Sequence, residues 1–399
     1  MSVRKRTWTT RKGITKEAWV VDYVDQQDNR RLKTFPRKKD ADAFAATATV
    51  EISEGTHVAE SASITVREAG ELWITGSENA GLERSTLDQY RQHIAIHIAP
   101  YLGSVLLSKL NAPMVRAFED RLRDEGRSPA MVKKVRGSLG SLLADAGERG
   151  LVARNVVRDL RSRRRKGKER QAERRQKGKV KVGIDIPTRD EIKGIVEHVK
   201  ARWRPVIITA IFTGLRASEL RGLRWADVDL EGKQLHVRQR ADRYNDIGRP
   251  KSAAGERTVP LPPIVINTLR EWKLACPNSD GDLVFPNGNG NVEYLQNIIK
   301  RGFLPAQIAA GVTVEAPERG KDGKPIRKAK YTGLHSLRHF YASWCINRRA
   351  DGGLELPGKM VQERLGHSSI MMTMDVYGHL FPRGDDHEEL AAAERSLLA

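Results

Sequence analysis

The chain has 399 residues, 39% of them hydrophobic, and 70 Lys and Arg against 50 Asp and Glu give a formal net charge of +20 and a pI near 10.0. That length exceeds one ordinary core and predicts two or three domains, and the apolar content excludes a disordered chain. With no run of 18 apolar residues, no apolar leader behind Met1, and two cysteines (Cys276 and Cys345) lacking metal or disulfide spacing, the expectation is a soluble, cytoplasmic protein with plain thiols and no membrane partner. A positive excess spread over several regions attracts polyanions, so nucleic acid is the expected partner; a merely basic surface is the alternative.

Residues 1–60 read as a small module. "AWVVDYVDQQDNRRLKTF" alternates apolar and polar residues across a turn at Gln26–Asn29, a β-hairpin pattern, and "KKDADAFAATATVEI" follows at helical spacing. Basic strands beside one helix suit a β-ribbon DNA reader or a generic small domain. Residues 64–160 predict a bundle of about four helices. Ser63 or Thr65 caps the first, Ser85 the second, which ends at Pro100 and Gly103, and Asn111 the third, with Pro113 in its first turn. The fourth, "SPAMVKKVRGSLGSLLADAGERG", carries Lys133, Lys134 and Arg136, which are assigned to DNA binding. Residues 161–182, "RSRRRKGKERQAERRQKGKVKV", are too charged for a core and read as a basic linker, with Arg163, Arg164 and Arg165 as further DNA contacts; a solvated linker is the plainer reading.

A third domain, 183–385, begins with a helix capped by Thr188 that holds Asp190 and Glu191 in its first turn, where the helix dipole favours acids. A helix at "WRPVIITAIFTG" precedes strands at "QLHVRQR" and "GERTVPLP". Helices return at "PPIVINTLREWK", "YLQNIIKRGFLPAQIAAG", "LHSLRHFYASWCINR", "GKMVQERLGH" and "IMMTMDVYGHLF", with 312–331 as a long basic loop or small hairpin. The fold class is therefore multidomain and mainly α with small β-sheets, ending in a tail, 386–399, that is a short helix or a frayed terminus.

Several polar residues stand where apolar ones are cheaper. Arg216 follows a helix break at Gly214, and Glu219, three residues on, is placed to orient it; a structural ion pair tying two helices is the equal alternative. In "LHSLRHF", His335 and Arg338 share a helix face, which suits a phosphate. His335 and His339 have the i, i+4 spacing of metal ligands but lack further ligands, so no metal is assigned and His339 is read as a packed, hydrogen-bonded residue. His367 follows Gly366, with Ser368 or Ser369 as cap of the next helix, which carries Tyr377. That tyrosine is either a buried aromatic or a nucleophile, with the methionines and Val376 around it as packing. Lys251 lies in the turn between the two strands. Together Arg216, Lys251, His335, Arg338, His367 and Tyr377 offer three cations, two imidazoles and a phenol with no acidic cluster for Mg²⁺, the equipment of metal-free phosphoryl transfer.

In order, "TGLRASEL", "RPKSAAGERTVPL", "HSLRH", "LGHSS" and "DVYGH" resemble the tyrosine recombinases, specifically phage-type, lambda-like integrases, over roughly 64–382; residues 1–60 are similar to their arm-type DNA-binding module. The resemblance implies a helical core-binding (SAM-like) domain at 64–160, a catalytic domain at 183–385, and a tail docking in trans on a neighbour. It also implies site-specific cutting and rejoining of double-stranded DNA through a 3′-phosphotyrosyl link, to integrate and excise a phage or mobile element. Tyr377 would attack, Arg216 and Arg338 would stabilise the phosphorane, and Lys251 would protonate the 5′-oxygen. His335 would take the phenol proton and His367 would bond the phosphate, with no cofactor. Core-type and arm-type DNA sites and a homo-tetramer on synapsed DNA are implied partners; a host DNA-bending protein and an excision factor are candidate ones. A type IB topoisomerase, a Xer-type resolvase or a DNA-binding accessory protein with structural boxes are the competing readings.

Overall fold

The computed structural model describes residues 1–10, 15–25, 28–55, 57–160, 179–319, 325–382 and 386–399. The chain divides into two units, Met1–Arg164 and Arg165–Ala399. Arg163, Arg164, Arg165 and most of the basic linker lie outside the described residues.

In the first unit, Ser2–Thr9, Thr15–Val24 and Arg30–Phe35 form an antiparallel sheet in the order of the sequence. Helix Lys38–Ser53 covers one face, where Val21 and Tyr23 pack with Ala41 and Phe44. Asp22, between those two positions, points away and binds Arg4 and Arg30, as strand alternation requires. The helical part contains Val66–Asn79, Ala112–Asp124 and Pro129–Glu148. Thr65 and Glu68 close a reciprocal cap on the first of these, and Asn111 and Ser128 cap the other two. The expected cap at Ser85 is not used: the second helix begins at Arg84 behind Glu83, with no side-chain cap. It then passes through a π-helical turn, His93–Ile98, into Ala99–Leu102, so Pro100 falls inside the run rather than ending it. Trp73, Phe118, Leu122, Leu139 and Leu142 centre this core. Lys133 and Lys134 are exposed, whereas Arg136 is turned onto the buried Glu119 at 3.1 Å.

The second unit begins with Arg189–His198, capped reciprocally by Thr188 and Glu191. From Pro205 to Thr213 the helix Trp203–Thr213 lacks charged residues and is buried along most of its length, as a helix through the middle of a core must be. Strands Gln234–Val237 and Arg257–Pro260 pair antiparallel, with Leu235 opposite Val259 facing that core, and Val228–Asp229 adds a third strand. The expected turn between the pair holds a small ladder of its own, Arg240–Ala241 with Ile247–Gly248. Helix Pro263–Ala275 follows. Leu295–Asn297 then runs through a π-helical turn, Ile298–Phe303, into Leu304–Ala309. The 312–331 stretch is a hairpin, Thr313–Arg319 with Pro325–Ala329. Helices His335–Ile346, Gly358–Leu365, Ile370–Tyr377 and Asp386–Leu398 complete the unit. On Ile370–Tyr377 the expected packing holds for Val376, which lies against the core, but not for Met371 and Met372, which are exposed; Met374, also largely exposed, lies against Gly358, and Thr373 and Tyr377 are buried. No helix among the described residues is long and apolar enough to cross a membrane.

Candidate active site

Two helix ends make the site. Trp203–Thr213 stops at Gly214, whose φ of +63° puts it in the left-handed region; a Cβ there would lie 2.3 Å from Tyr341 Cδ1. Gly358–Leu365 stops at Gly366, φ +64°, where a Cβ would meet the carbonyl of Ala254 at 2.8 Å. Both turns expose main-chain carbonyls, and arginines occupy them. Arg338 Nη1 donates to Gly214 O at 2.6 Å and Nη2 to Leu365 O at 2.5 Å. Arg216 Nη2 donates to Gly366 O at 2.9 Å. Arg338 is 2% exposed, and burial pushes its guanidinium down to about 9, leaving it charged at neutral pH.

Glu219 is the orienting acid expected for Arg216: Oε1 accepts from Arg216 Nη1 at 2.8 Å and Oε2 from its main-chain N–H at 2.8 Å. It has a second partner that sequence reasoning missed. Arg257 donates to the same carboxylate at 3.1 and 2.9 Å, and to the carbonyls of Arg364 and Gly255. Alternation along Arg257–Pro260 carried the signal, since Arg257 shares a strand face with the buried Val259. Burial raises the Glu219 carboxyl, but the guanidiniums of Arg257 and Arg216 outweigh it and hold the group below its ordinary value.

Helix His335–Ile346 brings His335 and His339 beside Arg338. The two imidazoles meet edge to face, centroids 4.5 Å apart. The Tyr377 hydroxyl lies 2.7 Å from His339 Nδ1, so the histidine on the phenol is His339, and the Tyr377 ring stacks parallel to that of His367 at 6.4 Å. Tyr377 is 2% exposed; burial pushes its phenol up to about 12 despite the opposing charge of Arg338. Burial, followed by the neighbouring cations, pushes the imidazoles down: His367 to about 4 beside Arg338 and Arg216, and His339 to about 4 beside His335 and Arg338. His335 moves the same way. His367 is fixed by Thr373 Oγ1 at 2.9 Å from its Nδ1.

The structure thus brings Arg216, His335, Arg338, His367, Tyr377 and Glu219 together. Lys251 is exposed on the connection between Ile247–Gly248 and Arg257–Pro260. Its loop reaches the site through the next turn, Ala253–Gly255, whose carbonyls face Gly366 and Arg257. Among the described residues, no group of three or more His, Cys, Asp or Glu is placed to hold a metal ion. Buried guanidiniums anchored by carbonyls, neutral imidazoles and a phenol suit an anion that is attacked by oxygen.

Residues 187–383 match the model of the phage integrase family. A tyrosine recombinase XerC-like protein of Caldanaerobacter subterraneus subsp. tengcongensis is 26% identical over 363 residues, 87% of either chain. Among solved structures, the Tn1549 transposon integrase bound to a circular intermediate DNA superposes with a TM-score of 0.59 at 18% identity, covering 84% of this chain and 100% of that one. A lambda integrase tetramer bound to a Holliday junction gives 0.53 at 18%, covering 91% and 95%.

Proposed function

We propose, for a chain that belongs to the phage integrase family and is a tyrosine recombinase, that Tyr377 is the nucleophile with which it cuts and rejoins double-stranded DNA. The observation that carries this reading is the Tyr377 hydroxyl, delivered by a helix near the C-terminus to the imidazole of His339 on the helix that also bears His335 and Arg338. Attack on the scissile phosphate would give a 3′-phosphotyrosyl link and a free 5′-hydroxyl. Arg216 and Arg338 would balance charge on the non-bridging oxygens, with Glu219 orienting Arg216. His335 and His367 would bond the phosphate, His335 also being assigned the phenol proton by resemblance, and Lys251 would protonate the departing oxygen. Reversal by a second 5′-hydroxyl reseals the strand and conserves the bond energy, so neither metal nor nucleotide is required.

The domain boundaries at 1–60, 64–160 and 183–385 fit arm-site binding, core-site binding and catalysis. The separate cores around Tyr23, Leu139 and Ile207 support that division. Relatives from a transposon and from phage lambda support integration and excision of a mobile element, by a homo-tetramer on synapsed core and arm sites in a bacterial cytoplasm. Lys133 and Lys134, exposed on their helix, and Arg163, Arg164 and Arg165 would contact phosphates; Arg136 would do so only by sharing Glu119.

The test uses nicked duplexes spanning the junctions of the element that encodes the chain, in EDTA, with wild type and Tyr377→Phe on a denaturing gel. A protease-sensitive adduct from wild type alone is expected. An adduct from Tyr377→Phe would remove Tyr377 as nucleophile, and DNA binding without any adduct would favour an accessory protein.

A further inference from the structure

We infer that His339 is a second catalytic histidine, the group that takes the proton of the Tyr377 phenol as it attacks. The inference rests on the reading of Tyr377 as nucleophile and adds to it a residue whose sequence context marked it only as packing. A general base must lie within hydrogen-bond reach of the proton it removes, about 2.6–3.2 Å between heavy atoms. His339 Nδ1 meets that requirement at 2.7 Å from Tyr377 Oη. His335 is held one turn earlier, where its ring packs edge-on against that of His339. His339 bonds the phenol, and His335, one turn earlier on the helix that carries Arg338, is left for the phosphate.

The charges around His339 fit the role. From its own helix it faces His335 and Arg338, from helix Ile370–Tyr377 the phenol, and from the segment before Arg189 the carboxylate of Asp185. Burial and the neighbouring cations keep the ring neutral at neutral pH, leaving a lone pair on Nδ1 when the ring proton sits on Nε2. A phosphodiester between Arg216 and Arg338 brings negative charge beside those cations and raises the basicity of the imidazole as the reaction needs it. The step balances: the phenol O–H bond breaks and its proton passes to His339 Nδ1, Oη bonds to phosphorus, and the bond from phosphorus to the 5′-oxygen breaks. That oxygen receives its proton from Lys251.

Single-turnover cleavage of the nicked junction duplexes tests this with His339→Asn and His339→Ala. Asparagine keeps a hydrogen-bonding group near the Nδ1 position but takes no proton at neutral pH. His339→Asn is expected to lose about 100-fold or more in cleavage rate with unchanged DNA affinity. Added imidazole should restore part of the rate to His339→Ala. A 5′-bridging phosphorothiolate, whose sulfur leaves without protonation, should rescue Lys251→Ala and leave His339→Asn slow. His339→Asn within about threefold of wild type would overturn the inference, as would full rescue of that variant by the phosphorothiolate. If His339→Ala melts too low to assay, His339→Asn decides alone. An adduct from Tyr377→Phe in the same experiment would instead defeat the underlying reading, whatever His339 does.

Discussion

Replacing Glu219 by glutamine should unsettle the site more than any other change that nearly preserves shape. The carboxylate is 3% exposed and accepts four hydrogen bonds, two from Arg257, whose side chain is 6% exposed, and two from Arg216, whose side chain is 36% exposed. Hydrogen bonds to charged groups contribute about 1.5–3 kcal/mol each, and breaking a buried ion pair costs about 3–5 kcal/mol because the partner's charge is left uncompensated. The Arg216 share is discounted for solvent screening. The amide oxygen of glutamine recovers part of the Arg257 share, so Glu219→Gln should cost about 3 kcal/mol, or roughly 6–12 °C in melting temperature for a unit of this size. Differential scanning calorimetry at neutral pH reads it directly. Because the folded carboxyl sits below its ordinary value of 4.5, its contribution is complete above that value and disappears as pH falls through the depressed one. The gap between wild type and Glu219→Gln should therefore narrow in acid. A fall of less than about 2 °C at neutral pH would show that the two arginines do not depend on this charge, and Glu219 would lose its place as the anion that holds them.

The histidines supply a second pH effect. His339 and His367 are held at about 4 against an ordinary 6.5, so stability they contribute is complete above 6.5 and lost as pH falls towards 4; urea midpoints that stay level across that window would contradict the buried, neutral rings. Gly214→Ala forces a Cβ to 2.3 Å from Tyr341 in a left-handed turn and should cost about 3 kcal/mol or more by urea unfolding, with cleavage falling as the Arg338 carbonyl anchor shifts. Lys133→Ala combined with Lys134→Ala should lower the slope of log affinity against log salt by about 2, and an unchanged slope would remove that helix from the DNA interface.

The parts legible in the sequence were those set by neighbours along the chain. Caps at Thr65, Asn111 and Thr188 follow from side chains three residues from the main-chain N–H groups that donate to them, and Trp203–Thr213 was legible as a helix. The Arg216–Glu219 pair was readable for the same reason. What distance in sequence hides is partnership. Arg257 joins Glu219 across 38 residues and His339 joins Tyr377 across 38, so neither local pattern names the other member. The π-helical turns were also hidden, and Pro100 looks like a helix end until packing carries the chain past it. The methionines misled through composition: an apolar run on a short helix reads as core, yet Met371 and Met372 are exposed while Thr373, Val376 and Tyr377 face inward.

The way the arginines are held explains why the site can be positive at all. Anchoring each guanidinium with its own carboxylate would bury the charges cheaply but leave little field for a substrate. Arg338 is instead held by carbonyls at the C-terminal ends of two helices, Gly214 O and Leu365 O, where the helix dipoles place partial negative charge. Arg216 adds Gly366 O, and Arg257 adds Arg364 O. Among the described residues, the one full negative charge bonded to these three guanidiniums is Glu219, which bonds Arg216 and Arg257, while Arg338 bonds carbonyls. Three positive charges against one leave an excess of about two, which matches the total charge of a doubly charged phosphorane, one more than the phosphodiester brings. The left-handed turns at Gly214 and Gly366 are thus electrostatic parts as much as structural ones: they end two helices where their carbonyls can hold a cation in place without neutralising it.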